Sequence, residues 1–210
     1  MFTGKTLIVL ACVFALSSVV VKAAETIKLP APKTTGGGDL FAAIEKRGSG
    51  TAFKGKVTDD ELATILWAAT GRNRANNGWT VPMAMGRAPY AKIYVVGENG
   101  TFLYDWENHS LIKVIADDIR GDVGMQGFVK NSYYILLFTT NDSEIKKLNA
   151  SLVGELGGYA VGAMSEHVYL AAGAFDLKTR FIMSVNKDEA RKLLSLPKEE
   201  TPHCIMTLGR

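Results

Sequence analysis

Cysteine is scarce in this chain, with two in 210 residues, and their positions exclude an internal disulfide in the mature protein. Cys12 lies inside an apolar leader, so Cys204 would be the single thiol left once the leader is removed. Cys204 follows His203, a pair that could form a Cys/His nucleophile. Because neighbouring residues of a strand point to opposite faces, we instead expect a core cysteine in the apolar run Cys204-Ile205-Met206.

The chain also has few histidines and a low net charge. The chain has three histidines, and His109 and His167 lack metal-type spacing, so we expect no metal site. Its 24 basic and 21 acidic residues are dispersed along the chain, with a net charge of +3. No basic arm or stripe is visible, which argues against a nucleic-acid partner. The length and the 47% hydrophobic content suit one domain with one good core.

A long apolar run occurs at the start of the chain, from Leu7 to Val21, after a short basic stretch. This is the layout of a secretory signal, and the small residues at its end favour cleavage after Ala23. An uncleaved anchor is one alternative, although the run is short for a span of about 20 residues. A lipoprotein box ending at Cys12 is another. Cleavage would remove two basic residues and no acidic one, leaving 22 − 21 = +1. We expect a periplasmic bacterial protein whose mature chain has no stable membrane insertion.

The domain is expected to begin after a linker. Residues 24–39, AETIKLPAPKTTGGGD, have two prolines, three consecutive glycines and no hydrophobic period, which predicts an exposed, flexible tether. A short helix then begins after an Asp39 N-cap and ends at Gly48. The chain is therefore divided into a signal peptide at 1–23, a tether at 24–39 and a single domain at 40–210.

The next segment has a clear helix start. Thr58 followed three residues later by Glu61 is a capping box, and Gly71 closes the helix. The helix has an apolar stripe at Leu62, Ile65, Leu66 and Ala69. The polar residues 72–79, RNRANNGW, predict a loop that presents Asn76, Asn77 and Trp79.

The second half predicts an α+β fold with helices around a central, mainly antiparallel sheet. Strands are predicted at 91–96, 101–104, 111–115, 133–140, 181–185 and 204–208. The first two are joined by a tight turn at Asn99-Gly100, 111–115 is an edge strand, and 133–140 is the central buried strand. Helical patterns cover 118–129, 144–157, 158–174 and 187–194. Residues 158–174 are apolar around most of the circumference, which predicts burial on nearly every side.

Six collinear motifs in residues 40–210 resemble the nitroreductase family. They are a basic R-x-S turn, an E-L-x-x-I-L-W-A-A-x-G helix, a V-P-x-A turn into I-Y-V-V, F-L-Y-D-x-x-x-H-x-L-x-x-V, a G-x-x-x-E-H-V-Y-L-A-A helix and a closing L-G-R. The branch that they resemble most is the peptide-azoline dehydrogenase-like (SagB-type) group. The resemblance implies an FMN-dependent oxidoreductase built as an intertwined homodimer, with two flavins at the subunit interface.

The resemblance also implies a site for the flavin phosphate. Arg47 and Ser49 match the first two family residues on the ribityl-phosphate side, whereas Gly48 and Thr51 stand where the family usually has arginines. Loss of two charged hydrogen bonds, each worth about 1.5–3 kcal/mol, would weaken FMN binding by orders of magnitude. The residues that could substitute are Lys54, Lys56, Arg72 and Arg74. The alternative for this basic cluster is a solvated face.

Other cofactor contacts are implied further along the chain. The Pro82-Met83-Ala84 turn would lie beside the isoalloxazine ring, and the backbone of Met183-Ser184 near its N5 edge. Asn76 is a further candidate cofactor contact. Arg210 would lie near the phosphate, and Glu166-His167 sits where the family helix carries Gln-Asn. Asn76 could instead serve turn chemistry, and Met83 could instead pack in the core.

The function implied is a two-electron transfer through flavin N5 to or from an organic substrate that the sequence does not identify. The catalytic residues are unknown, since flavin chemistry needs little from side chains. Export would separate the protein from cytosolic NAD(P)H, which favours a dehydrogenation or a quinone- or protein-linked donor. The alternative is an exported dimer of the same fold that has lost FMN and acts as a binding or structural protein.

Overall fold

The computed structural model describes residues 24–50, 53, 55–75 and 78–210. The predicted signal peptide, residues 1–23, lies outside the described residues. The strands are β1 (Thr26–Lys28), β2 (Arg72–Arg74), β3 (Gly78–Trp79), β4 (Ala91–Gly97), β5 (Gly100–Asp105), β6 (Ser110–Ile115), β7 (Tyr134–Asn141), β8 (Lys178–Ile182) and β9 (Glu200–Gly209). The α-helices are α1 (Leu40–Lys46), α2 (Asp59–Thr70), α3 (Asp142–Lys146), α4 (Val153–Ala174) and α5 (Lys187–Leu193).

Seven strands form one sheet in the order β1-β6-β5-β4-β7-β9-β8. All neighbouring strands in it are antiparallel, which confirms the predicted α+β fold with a mainly antiparallel sheet. The strand predicted as central, β7, lies between β4 and β9, and its residues from Ile135 to Phe138 are fully buried. Such burial requires cover on both faces of the sheet, because successive side chains point to opposite faces.

Helices α2 and α4 cover one face of the sheet. The predicted capping box of α2 is present: the Thr58 hydroxyl accepts the Glu61 N–H, and the Glu61 carboxylate accepts the Thr58 N–H. The apolar stripe of α2 is buried against α4 and the sheet. The other face is covered by residues from 119 to 129 and by α5, which contribute Ile119, Val123 and Ala190 to a second core.

Helix α4 is less completely covered than its sequence predicts. Val161, Met164 and Val168 are buried, but Tyr159 is 72% exposed and Gly158, Gly162 and Glu166 are exposed beside it. Helix α1, which contacts α4, also leaves apolar side chains exposed, with Phe41 at 77%. No helix in the described ranges combines the length and apolar character needed to cross a bilayer.

The predicted tether is wrong for its first residues. Thr26–Lys28 forms strand β1, which pairs with β6, so β6 is not the edge strand that was predicted. The ring of His109 fixes the segment that follows, since its Nε2 lies 2.8 Å from the Pro30 carbonyl oxygen. This docking depends on residues about 80 positions away, which the local composition of residues 24–39 cannot indicate.

Three local predictions also need correction. Residues 72–79 are not an open loop, because β2 and β3 pair and the Arg72 guanidinium stacks over the Trp79 ring at 5.2 Å. Residues 118–129 form turns and not a helix. A Cβ on Gly124 would lie 2.9 Å from Ile205, so this close approach of the backbone requires glycine. The β4–β5 turn is centred on Glu98-Asn99, and Gly100 begins β5 with a φ of 117°.

Candidate functional site

An open cavity of about 280 Å³ lies where the residues after α1 meet the start of β8 and the C-terminal third of α4. We call it the Arg47 cavity; it is lined by residues 46–50, Tyr169, Gly173 and residues 177–179. The Gly50 N–H donates to the Thr179 carbonyl at 2.9 Å, which fixes residues 49–50 to the edge of the sheet. The structure therefore brings two predicted residues, Arg47 and Ser49, to one cavity.

The hydroxyl of Tyr169 organises this cavity. Its oxygen accepts the Phe181 backbone N–H at 2.8 Å and lies 2.8 Å from Ser49 Oγ. The Arg47 guanidinium lies over the Tyr169 ring, with Cζ 5.1 Å from the ring centroid. One side chain of α4 thus positions a hydroxyl and a cation that come from the loop after α1.

Lys178 is a second cation of the cavity that the sequence analysis missed. Its side chain packs over Gly50, where an added Cβ would lie 2.9 Å from Lys178 Cβ. None of the described residues that line the cavity is acidic, and Lys46, which also lines it, is paired with Asp176 at 3.1 Å. The sequence contains little indication of Lys178, because a basic residue at the start of a strand is common. Lys178 lies beside Arg47 only because Ser49 forms a bridge with Thr179 of β8.

Thr179 places a buried hydroxyl beside the Arg47 cavity. Its side chain is 2% exposed, and its Oγ1 has no hydrogen-bond partner among the described residues. An unpaired buried hydroxyl costs about 1–3 kcal/mol, so native structures usually satisfy such groups with a partner, water or a ligand. Here the hydroxyl belongs to a residue that lines a cavity rich in cations.

Arg210 lies outside the Arg47 cavity. Its Nη2 pairs with the Glu61 carboxylate, its Nε donates to the Lys56 carbonyl at 3.2 Å, and its Nη1 donates to the Phe175 carbonyl at 3.4 Å. Burial alone would raise the pKa of Glu61, but hydrogen bonds from Thr58 and the charge of Arg210 hold that pKa below its usual value. This geometry gives Arg210 a structural role at the chain end and does not support the predicted phosphate contact.

The Pro82-Met83-Ala84 turn is anchored at the opposite end of α4. The Tyr90 hydroxyl accepts the Ala84 N–H at 3.4 Å and donates to the Leu156 carbonyl at 3.3 Å. Leu156 and Tyr169 are thirteen residues apart on the helix, or about 20 Å at 1.5 Å per residue. Within one chain the turn is therefore remote from the Arg47 cavity. The Met83 side chain is buried in the core. This agrees with the alternative expectation that Met83 packs in the core.

Met183 and Ser184 border a second open cavity, of about 450 Å³. We call it the Met183 cavity; it is lined by Gln126, Phe128 and residues 180–184. The Gln126 Nε2 donates to Ser184 Oγ, and Met183 is 75% exposed. No acceptor for the Met183 N–H lies among the described residues. Met183 lies four steps along the extended chain from Thr179, or about 13 Å, whereas the linings of the two cavities meet at residues 179 and 180.

The other predicted residues are distributed elsewhere. Thr51, Asn76 and Lys54 lie outside the described residues. Arg72 stacks on Trp79 and Trp106, Arg74 lies on the same hairpin, and the Lys56 carbonyl is held by Arg210. Lys56, Arg72 and Arg74 were expected to replace the family's arginines, but they do not line the Arg47 cavity. Lys178 lines it instead.

The two polar residues of α4 have different surroundings. Glu166 is exposed and needs no protein partner. His167 Nδ1 lies 2.8 Å from the Ala68 carbonyl oxygen, and since a carbonyl only accepts, Nδ1 carries the hydrogen. His167 therefore ties α4 to α2.

Cys204 and His203 do not point to opposite faces as expected. A β-bulge interrupts the pairing of β7 and β9 here, with Phe138 opposite Cys204 and Thr139 opposite Pro202. Both side chains consequently reach α4, where Cys204 Sγ lies 4.0 Å from Ser165 Oγ. Burial raises the pKa of the Cys204 thiol to about 12, so the thiol is protonated and acts as a core residue.

No group of three or more His, Cys, Asp or Glu side chains is placed to hold a metal ion in the described part of the chain. The residues present do fit a phosphate-bearing, planar cofactor. Arg47, Ser49 and Lys178 offer cations and a hydroxyl at one end of β8, and the Met183 N–H lies at the other end.

Solved structures share this fold. A protein from Ralstonia eutropha JMP134 that is described as a nitroreductase has 30% identity and a TM-score of 0.83, over 88% of this chain and 89% of that chain. The NADPH:FMN oxidoreductase of Vibrio harveyi has 17% identity and a TM-score of 0.58, over 81% and 68%. A chain of the E. coli microcin synthetase complex has 14% identity and a TM-score of 0.63, over 96% and 84%. The last two show the fold alone.

No protein with a curated description matches the sequence. The family model for nitroreductases matches residues 51–210, which is most of the chain. That match and the similarity to the Ralstonia protein agree with the fold. The chain belongs to the nitroreductase family, whose members generally bind flavin, and it is an oxidoreductase.

Proposed function

We propose that the protein is an FMN-dependent oxidoreductase whose cofactor site follows the outer edge of β8. Arg47, Ser49 and Lys178 would hold the phosphate, and the backbone of Met183 and Ser184 would face the ring. The observation that carries the proposal is that Arg47, Ser49 and Lys178 line one cavity, and that none of the described residues lining it is acidic.

Electrostatic attraction supports the assignment of the phosphate to the Arg47 cavity. A unit charge pair at about 4 Å is worth about 4 kcal/mol near a protein surface and about 1 kcal/mol in water. The Arg47 cavity is open to water, so the attraction between each cation and a phosphate charge is closer to about 1 kcal/mol. Two cations acting on a doubly charged phosphate still give several kcal/mol, which can replace part of what the family's missing arginines supply.

FMN, when bound, accepts and donates the two electrons. The protein would position the cofactor and form hydrogen bonds to it. Tyr169 fixes the Ser49 hydroxyl and the Phe181 backbone, so the start of β8 is rigid. The Met183 N–H, just after β8, has no acceptor among the described residues, and we assign it to face a ring nitrogen. We assign no side chain as an acid or base.

We also propose that the active form is a homodimer. Leu40, Phe41 and Ile44 of α1 and Tyr159 of α4 are 49–77% exposed, an unusual density of apolar surface for a single chain. A dimer through these helices would cover that surface and could bring the Pro82 turn of one chain to the cavity of its partner. Light scattering at micromolar concentration should give twice the mass of the chain, and a monomeric mass would contradict the proposal.

We further propose that the protein belongs to the SagB-type branch and is exported. The order of the six motifs supports the branch. The apolar leader supports export, with a quinone- or protein-linked donor in place of NAD(P)H. N-terminal sequencing of the exported protein should begin at Ala24, and an intact Lys22 or an acylated Cys12 would refute the proposed cleavage.

The decisive experiment tests whether the purified protein binds FMN. The purified protein should show flavin absorbance, or should bind added FMN with quenching of FMN fluorescence. Reduced holoenzyme should then be reoxidised by an organic acceptor, followed at the flavin band. A protein that binds no FMN at any concentration tested would instead support the alternative of a cofactor-free dimer.

A further inference from the structure

A third cavity, of about 230 Å³, lies between the sheet and the start of α2, at the end of the sheet where β4 turns into β5. We call it the Tyr134 cavity; its lining includes residues 27–30, the start of α2, the β4–β5 turn and residues 133–134. The described residues that line it differ from those of the Arg47 and Met183 cavities, which lie along β8 at the far edge of the sheet. The proposed cofactor site therefore does not use this cavity.

The inner part of the Tyr134 cavity is aliphatic and aromatic. Leu62 and Val95 line it from α2 and β4 and are buried in the core. The rings of Tyr133 and Tyr134 meet edge to face, with centroids 4.8 Å apart and an interplanar angle of 86°. A Cβ on Gly97 would lie 2.8 Å from Tyr134 Cε1, so the glycine lets this ring lie directly against β4. Two perpendicular rings beside aliphatic side chains suit a compact apolar group.

Two carboxylates on the lining are unpaired. Asp59 and Glu98 are exposed, and neither takes part in an ion pair among the described residues. Asp59 lies close enough to Tyr134 to affect its hydroxyl: burial, then Tyr133 and then the Asp59 charge raise the pKa of Tyr134 to about 12. The Tyr134 phenol is therefore neutral near pH 7, and the carboxylates are the negative groups that a ligand would meet.

The two cations on the lining are held by other groups. The Arg120 guanidinium donates to the Asp118 carboxylate through Nε at 2.9 Å and Nη2 at 2.6 Å, and through Nη1 to two backbone carbonyls. Lys28 Nζ donates to the Asn108 carbonyl, in the loop that follows β5, whereas Glu98 lies in the turn that precedes β5. The six residues of β5 span about 17 Å between these two ends. The charge that remains available at the β4–β5 end is therefore negative.

We propose that the Tyr134 cavity binds a small organic ammonium ion with a compact apolar body. The faces of Tyr133 and Tyr134 would contact the alkyl groups around the nitrogen, and Asp59 and Glu98 would balance its charge. Aromatic faces attract cations, and quaternary ammonium groups are recognised in this way. An anion would be repelled by the two carboxylates, and a neutral apolar ligand would gain nothing from them. The proposal does not depend on the proposed function, because the two sites have no described residue in common.

The test compares choline with 3,3-dimethyl-1-butanol, a ligand of the same shape in which a neutral carbon replaces the charged nitrogen. The equivalent methyl protons of each ligand give one NMR signal, so both can be titrated against the purified protein in the same way. Wild type should bind choline about tenfold more tightly than the alcohol, equivalent to about 1.4 kcal/mol.

The charge variants locate the ligand. Asp59→Asn and Glu98→Gln should each lower the preference for choline to about threefold, and the double variant should leave about twofold from the aromatic rings. Asp60→Asn is the matched control for Asp59→Asn. It removes the same charge one residue further along α2, from a residue that does not line the cavity, and should keep the full preference.

Further measurements separate this proposal from the proposed function. Each variant should keep the wild-type melting temperature and the wild-type affinity for FMN, and added FMN should leave choline binding unchanged. Equal or undetectable binding of the two ligands by wild type, or an unchanged preference in the double variant, would overturn the proposal. So would an equal loss of preference in Asp60→Asn and Asp59→Asn, or competition between choline and FMN. If the protein binds no FMN but keeps the preference for choline, the proposed function fails and this proposal stands.

Discussion

Gly48 is the position where one substitution should most improve cofactor binding. It lies between Arg47 and Ser49 at the Arg47 cavity, and the resemblance places an arginine here in the family. A Cβ on Gly48 would meet only the Lys46 carbonyl oxygen, at 4.0 Å. The residue does not have a positive φ, so any L-residue fits the backbone. Gly48→Arg therefore adds a cation at little steric or conformational cost.

The expected gain follows from the exposure of the site. A charged hydrogen bond is worth about 1.5–3 kcal/mol, but Gly48 is exposed and the cavity is open, so solvent and side-chain entropy reduce this figure. A net gain of about 1.4 kcal/mol corresponds to a tenfold lower Kd for FMN. Because the contribution is electrostatic, it should shrink as ionic strength rises.

Fluorescence titration with FMN and with riboflavin measures this effect. Gly48→Arg should tighten FMN binding about tenfold and leave riboflavin binding unchanged, because riboflavin lacks the phosphate. Gly48→Ala, which changes the backbone without adding charge, should bind both ligands like wild type. An unchanged Kd for FMN, or an equal gain for riboflavin, would refute the assignment of the phosphate to this cavity.

Three other perturbations test neighbouring parts of the structure. Arg47→Ala should abolish FMN retention through gel filtration, and a variant that binds FMN as tightly as wild type would remove the proposed site. Tyr169→Phe keeps the ring under Arg47 but loses the hydroxyl bond to Ser49, so FMN affinity should fall by about 1 kcal/mol or fivefold in the same titration; no change would show that the hydroxyl is dispensable. Burial and then the Lys28 charge lower the pKa of His109, against the opposing effect of its bond to the Pro30 carbonyl. The unfolded chain therefore takes up the proton first, and stability should fall as pH drops below about 6.5. Urea unfolding of His109→Gln should show a weaker pH dependence over this range, and an unchanged dependence would contradict this assignment.

Several elements could be predicted because their causes lie within a few residues of sequence. The Asp39 N-cap accepts the Ala42 N–H, and Thr58 and Glu61 form the capping box of α2. The unbroken apolar run of β7 required a strand that is buried on both faces, and the structure has one. The family could likewise be predicted from the sequence, because the motifs occur in an order that does not depend on how the chain packs.

Other features depend on contacts between distant parts of the chain. Lys178 joins Arg47 only because residues 49–50 bridge to β8. Arg210 has the sequence position of a phosphate ligand, yet a partner on α2 and two carbonyl groups hold its guanidinium. A β-bulge turns His203 and Cys204 toward the same helix, against the alternation of an ideal strand.

The sequence by itself therefore determined the helix starts, the buried strand, the sheet class and the family, since capping, periodicity and turn chemistry act over short distances. Only the tertiary structure decided which cations share a cavity and which arginine is held by other parts of the chain. These features arise when segments that are distant in the chain, such as residues 49–50 and β8, are packed side by side. Charge, burial and hydrogen bonding at each residue are then set by neighbours that the local sequence does not specify.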